Sequence, residues 1–493
     1  MAGPGSGGAA APPEDPAPPV AALTARSAGV TVAAQSVARA ITLAVVVVST
    51  ALVARELTLE RYADWVTILS LVTLAAVLLD PGLSPAVVRR LAQQHTDAPT
   101  PAALRRVRLA LGLLTLAVVT AGSVALRGTG ALLLALALGG QIVARADVLN
   151  ATPFLQTDHR LHRQTALEAV TAALGLAALA VAVAAGTSAE VMALAGFTVP
   201  AFVLAALVRG ELRRTPSASV PPPGPQRARV RSIAREVAPL AAALLLTTAY
   251  TRLFTVFLNA AEDAADVARY LFAFQFVEQV IVVAGIVGGA LLPIIAVRGR
   301  TVRLVADDVV HELTVAMAAV GAIVAGALVA SAPVLCRAIG GPKLAAADRY
   351  LELVAPLSAL IFVAFVLGYV YIAMGRGAAY LRFNAAALAF NLAANAALTL
   401  TVGASATARV AWATELIVVT LAFAPLARAS ASGRATAVRV AAIVAVAVTG
   451  AELAGGDVLA PAVAGVLVAA AAAALAAGPL RRFAGAVLRP GRS

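Results

Sequence analysis

Only one cysteine, Cys336, stands in the 493 residues. No intrachain disulfide can staple the fold, and no cysteine cluster can hold a metal. The histidines are few as well: His95, His159, His162 and His311. His159 and His162 are three apart but belong to no H-E-x-x-H or H-x-E pattern, so they read as solvated interfacial residues and no cofactor is expected. Charge is scarce at 13% of residues, against roughly 25% in an ordinary soluble domain. With 61% hydrophobic residues and a mean hydropathy of +0.90, the chain cannot hide its apolar side chains from water in any compact fold. Its solvent must be lipid. The net charge of +13 comes from arginines clustered between apolar runs, without the aromatic signature or zinc spacing of a nucleic-acid binder. No nucleic-acid partner is expected; anionic headgroups and the charge bias of membrane loops account for the excess. The Pro- and Gly-rich start has no phosphate-loop Gly-Lys-Ser/Thr and lacks the basic start and apolar centre of a signal peptide.

A helix crosses a hydrocarbon core of roughly 30 Å with about 20 apolar residues. Runs of this kind fall near 28–54, 62–88, 106–126, 129–153, 165–186 and 189–208, then near 236–259, 266–297, 312–338, 350–375, 378–402 and 405–427. A last pair lies near 436–453 and 458–478. The runs are continuously apolar and do not alternate every second residue, which favours helices over a β-barrel. The expected fold is therefore all-α, with about 14 transmembrane helices. With a cytoplasmic N-terminus, 27 basic residues fall on the inside and 8 on the outside, in accord with the positive-inside rule. Both termini are then cytoplasmic, the protein spans the cell membrane many times, and Trp65 and Trp412 sit at the outer ends of their spans as interfacial aromatics.

The two halves resemble each other. Arg61-Tyr62 opens the second span and Arg269-Tyr270 the eighth; Pro85 and Pro293 each follow the tyrosine by 23 residues. Six spans per half makes the halves parallel, the arrangement of a transporter that rocks around a central cavity. The expected organisation is a disordered cytoplasmic tail (1–25), an N-terminal six-helix lobe (26–209) and a cytoplasmic Pro/Arg-rich linker (210–234). A C-terminal six-helix lobe (235–430), an additional helix pair (431–480) and a basic cytoplasmic tail (481–493) follow.

Gly29…Gln35, Val53-Ala54-Arg55-Glu56-Leu57…Glu60-Arg61-Tyr62 and Asp80-Pro81-Gly82-Leu83-Ser84 with Arg89-Arg90-Leu91-Ala92 form an ordered set in the first half. Tyr250-Thr251-Arg252, Val267-Ala268-Arg269-Tyr270, Leu291-Leu292-Pro293, Met374-Gly375-Arg376 and Asn391-Leu392-Ala393-Ala394-Asn395 continue it in the second. Over residues 25–430 this set resembles the polysaccharide flippases of the multidrug/oligosaccharidyl-lipid/polysaccharide exporter superfamily, the Wzx type. The resemblance implies a two-lobed helical bundle and a cargo of sugars on an isoprenoid pyrophosphate. It also implies membrane lipids as surroundings, with a glycan polymerase or glycosyltransferases as partners. Where the family often has an aspartate two residues after the arginine of the seventh span, this chain has Phe254, which puts ion coupling through that position in doubt.

Arg39, Arg145 and Arg252 are the basic residues left inside predicted spans. A charge at the bilayer centre costs at least about 2.5 kcal/mol, so it lines a cavity or finds a partner. Arginine's planar fork matches phosphate, which makes Arg39 and Arg252 candidates for the pyrophosphate; local pairing or snorkelling is the other possibility. Arg145, with Asp147 two residues away, has a stronger structural claim. Gln35, Gln141, Asn384, Asn391 and Asn395 are candidate partners for sugar hydroxyls or for neighbouring helices. Glu278, between Gln275 and Gln279, and Asp147 are the ion-coupling candidates; Glu278 could instead answer an arginine across the cavity. Glu168 and Glu415 lie nearer helix ends. A membrane glycosyltransferase needs a sizeable outer loop with paired acids, and Glu262-Asp263 sits in a short one. No catalytic residue is therefore assigned. A small-molecule efflux antiporter of the same superfamily is the main alternative.

Overall fold

The computed structural model describes residues 25–80, 83–92, 99–158, 160–215, 226–298, 308–374, 376–456 and 458–488. Most of the expected N-terminal tail, the centre of the linker (216–225), His95 and His159 lie outside these residues. The described chain is helical from end to end, and a helix lies on each of the fourteen apolar stretches. Eleven are long and apolar enough to cross a membrane, or twelve when a pair bent by 46° is counted as one span. Fourteen spans is thus the expectation, and the described residues support eleven to twelve of them.

The first group of helices comprises α1 (Ala25–Glu56), α2 (Leu59–Ala76), α3 (Leu83–Ala92), α4 (Pro101–Arg127), α5 (Leu132–Thr157), α6 (Leu161–Ala184), α7 (Ala189–Ala193) and α8 (Val199–Arg213). A π-helical turn, Leu194–Thr198, joins α7 to α8. The second group comprises α9 (Gln226–Arg252), α10 (Phe254–Ala261), α11 (Ala264–Arg298), α12 (Asp308–Gly340), α13 (Asp348–Val354), α14 (Leu357–Ala373), α15 (Gly377–Ala394), α16 (Leu400–Val402) and α17 (Ala404–Ala429). The final pair is α18 (Ala431–Gly455) and α19 (Pro461–Leu488).

Several boundaries differ from the sequence reading. The second span is not continuous: α2 ends at Ala76, a 3₁₀ turn (Val77–Leu79) follows, and Asp80 leaves the helix with φ −142°, since a residue before proline is disfavoured in helix. Asp80 turns the interruption into a start, because its Oδ1 accepts the Ser84 backbone N–H at 2.8 Å as helix-opening acids do. The symmetry-related α11 runs unbroken from Ala264 to Arg298. Helix α9 begins at Gln226, inside the stretch read as linker, and α19 carries Arg481 and Arg482, read as tail, to Leu488.

The outward surfaces of the first group expose large apolar side chains, Leu113 at 58%, Leu174 at 59% and Val181 at 69% among them. Such a surface fits lipid and not water. Between the two groups, α2 packs on α11. The paired tyrosines of the repeat are both fully buried, Tyr62 at this contact against Phe272 and Tyr270 within the second group against Phe254 and Tyr350. Trp65 is a correction: it is not an interfacial anchor but is buried and packs edge-on against Phe197 at 5.6 Å.

The last helix pair is built into the second group. Arg409 of α17 holds Glu452 of α18 through two bonds of 2.8 and 2.7 Å, and α19 crosses α12 at a glycine pair. A Cβ on Gly326 would sit 2.5 Å from the Gly465 carbonyl oxygen, so the backbones themselves touch, as close helix crossings in lipid require. Gly326→Ala is expected to force the crossing apart and cost about 1–3 kcal/mol. Gly130→Ala, with open space around it, should leave stability unchanged. Thermal unfolding of the detergent-solubilised variants measures both; equal melting temperatures would refute the tight crossing.

Candidate functional site

A cavity of about 340 Å³ lies between the first group and α11. Helix α1 contributes Thr42, Ser49 and Thr50, α2 contributes Tyr62, Trp65, Ser70 and Thr73, and α5 contributes Gln141. Glu168 and Thr171 come from α6, Phe197 from the π turn, and Gln275, Glu278 and Gln279 from α11. In an apolar bundle this density of hydroxyls, amides and carboxylates is the exception, because polar groups buried without partners cost several kcal/mol. The Gln275–Glu278–Gln279 patch faces the cavity because α11 is spaced by 3.6 residues per turn.

A hydrogen-bonded frame spans both groups. Thr50 Oγ1 donates to Gln275 Oε1 at 3.2 Å, and Gln275 Nε2 donates to the Tyr62 hydroxyl at 3.4 Å. Ser70 and Thr255 share a hydroxyl bond of 2.8 Å, and Thr67 pairs with Asn259 at 3.3 Å. On α6, Glu168 Oε1 accepts from Gln164 Nε2 at 2.9 Å. Arg252 forms an ion pair with Glu278, and its guanidinium lies 5.8 Å from the Phe274 ring centre. The pair joins the end of α9 to the middle of α11 and neutralises Glu278 beside the cavity.

The sequence candidates therefore separate. Glu278 and Arg252 come together as partners, and Glu278 and Gln141 line the cavity. The side chains of Gln35 and Arg39 on α1 lie outside the described ones. Arg145 is exposed on α5. Asp147 does not pair with it but takes Arg105 from α4 at 2.5 Å and Arg209 from α8. Asn391 is buried away from the cavity, donating to Thr414 Oγ1 at 3.0 Å in a chain of side chains that continues through Asn395 and Thr399 to Thr407.

Two features were not legible. Arg108 is fully buried, with Nη2 at 3.2 Å from Asp80 Oδ1 and 2.9 Å from Ser84 Oγ. It pins the α2–α3 break to α4. Beginning the third span at Pro101 would have placed Arg108 one turn after Arg105, inside the bundle. The second is a cavity of about 410 Å³ within the second group, lined by Tyr250, Phe254, Phe365, Tyr369 and Glu415. The Tyr250 hydroxyl donates to Glu415 Oε1 at 2.9 Å there.

Two helical groups that meet at a polar cavity inside an apolar shell, with eleven to twelve candidate spans, define a polytopic helical membrane protein. A family model described as polysaccharide biosynthesis protein matches residues 25–297, and the chain belongs to that family. No curated protein matches it in sequence. Among solved structures, it is similar to lipid II flippase MurJ in its inward closed conformation, with a TM-score of 0.67 and 11% identity over 92% of this chain and 99% of that one. It is also similar to an inward-facing multidrug resistance MATE family transporter of the MOP superfamily (TM-score 0.56, 14% identity, 81% of this chain and 95% of that one). The eukaryotic MATE transporter AtDTX14 gives 0.54 at 14% identity, over 83% and 99%. At these identities the likeness is one of fold.

Removing Arg252 alone leaves Glu278 uncompensated in the bundle. Arg252→Ala is expected to cost about 3–5 kcal/mol, and Arg252→Ala/Glu278→Ala less than the sum of the two single variants. A double-mutant cycle of unfolding in detergent reads the coupling; strictly additive losses would refute the pair.

Proposed function

We propose that the protein is a flippase that carries a lipid-linked oligosaccharide from the cytoplasmic to the outer leaflet by alternating access, for the synthesis of a cell-surface polysaccharide. The observation that carries this reading is the polar cavity between the two lobes. It is of ligand-site size, and lipid-facing helices surround it. A sugar chain could pass through such a cavity while its isoprenoid tail stays in the bilayer. Membership of a polysaccharide-biosynthesis family and the fold shared with a lipid flippase point the same way. Transport of this kind forms and breaks no covalent bond, so the protein is not an enzyme in this reading.

The phosphate end of the cargo has a natural seat near Asp147. Two arginines, Arg105 and Arg209, share that one carboxylate, which leaves a surplus positive charge. Arg209 is five residues beyond the cavity residue Leu204 on α8, roughly 7.5 Å along the axis. Arg252 secures Glu278, and Arg39, three residues before Thr42 on α1, stays a phosphate candidate. In this reading the protein lies in the cell membrane with both termini and the arginine-rich ends on the cytoplasmic side, which the loop charges support. Lipids surround the helices, and a glycan polymerase or glycosyltransferases are the natural neighbours of such a transporter.

A second reading, export of a small organic cation, draws on the aromatic cavity around Glu415, because ring faces attract ammonium groups. The distributed arginines and the family favour the anionic lipid-linked cargo.

Alternating access requires the α2–α10 contact to open. In a Cys336→Ser background, Ser70→Cys/Thr255→Cys should form a disulfide on oxidation, since these side chains touch at 2.8 Å. Flipping of a fluorescent isoprenoid-pyrophosphate oligosaccharide in proteoliposomes is expected to fall at least about tenfold on crosslinking, or about 1.4 kcal/mol, and to return on reduction. Unchanged flipping by fully crosslinked protein would contradict the rocking mechanism.

A further inference from the structure

We propose that the interlobe cavity selects the charge class of its cargo, admitting neutral, hydroxyl-rich sugars and disfavouring acidic ones. The inference rests on the flippase reading and adds the substrate class. Among the described lining residues, the ionisable acids and bases are two carboxylates, Glu168 and Glu278, and no base. Arg252 answers Glu278 from outside the lining. Glu168 has only the neutral Gln164 amide as its described partner, so among the described residues the wall carries one carboxylate that no basic side chain answers.

Around that charge the groups are those a neutral pyranose can use. A carboxylate accepts hydrogen bonds from hydroxyls, and Gln141, Gln275 and Gln279 both donate and accept. Phe197, part-exposed at the cavity and braced edge-to-face by the buried Trp65 at 5.6 Å, supplies an apolar surface for the C–H face of a sugar. A uronic acid would bring a second carboxylate into the same small space. Like charges a few ångströms apart in a protein-like dielectric repel by more than the factor of ten that separates two substrates. The pyrophosphate of the cargo escapes this repulsion, because its seat near Arg105 and Arg209 lies towards the end of α8.

The test uses the full chain in proteoliposomes and two fluorescent isoprenoid pyrophosphates. One carries a neutral trisaccharide; the other is identical except that one hexose is oxidised to its uronic acid. Initial flipping of the neutral lipid should be at least about tenfold faster. Glu168→Gln should bring the ratio of the two rates towards one, whereas Glu168→Asp, which keeps the charge, should hold it. Equal flipping of both lipids by the wild type, or a ratio that Glu168→Gln leaves intact, overturns the selectivity. The wild-type ratio decides if Glu168→Gln does not fold. Flipping of neither lipid by folded protein overturns the flippase reading, a result distinct from equal flipping.

Discussion

The Arg252–Glu278 ion pair fixes α9 to α11, the helix of the second group that forms one wall of the cavity. In a bundle whose outer surface faces lipid, a lone guanidinium or carboxylate is costly, and each is held by a partner on another element. Arg252 closes the end of α9 onto α11, and the same helix presents Gln275 to Thr50 and Tyr62 of the first group. Breaking the pair would leave a charge stranded beside the cavity and loosen the helix that forms one of its walls.

The same rule recurs at other places where the fold departs from plain apolar packing. Arg108 reaches Asp80 and Ser84 where α2 breaks. Arg127 holds Asp64 at 2.6 Å near the start of α2. At the far end of the contact between halves, the Lys343 ammonium donates to the carbonyls of Arg55 and Leu57 at 2.7 and 2.6 Å, satisfying oxygens that a helix end leaves open. These are short, directional bonds between segments distant in sequence. Replacing the hydroxyl contacts Ser70–Thr255 and Thr67–Asn259 with water costs little compared with separating an apolar face, which suits an interface that must open during transport.

Much of this architecture was legible because lipid imposes a length and a polarity on every crossing. The apolar runs located a helix at each expected place, and the polar patch on α11 located one wall of the cavity. Tertiary pairing was not legible. Asp147 stands two residues from Arg145, yet successive helical residues two apart point away from each other; its partners come from α4 and α8, 42 and 62 residues distant. Glu168 looked like a residue near a helix end. Only the packing of α6 against α1 carries it to the cavity. Trp65 satisfied the composition rule for interfacial aromatics, but the α7–α8 turn covers it.

Seating of the glycan in the interlobe cavity is tested most directly by site protection. Thr73 lines the cavity, is exposed, and bonds only within its own helix, to the Leu69 carbonyl. A Thr73→Cys variant in a Cys336→Ser background therefore gives a single reactive thiol with little disturbance. Its rate of labelling by a small maleimide would be measured with and without a saturating isoprenoid-pyrophosphate oligosaccharide. A glycan seated in the cavity predicts at least about a fivefold slowing, matched by no slowing with the isoprenoid phosphate alone, as expected when bound ligand excludes solvent from its pocket. Unchanged labelling under conditions where the lipid is bound or flipped would place the transport route elsewhere and contradict the assignment of this cavity.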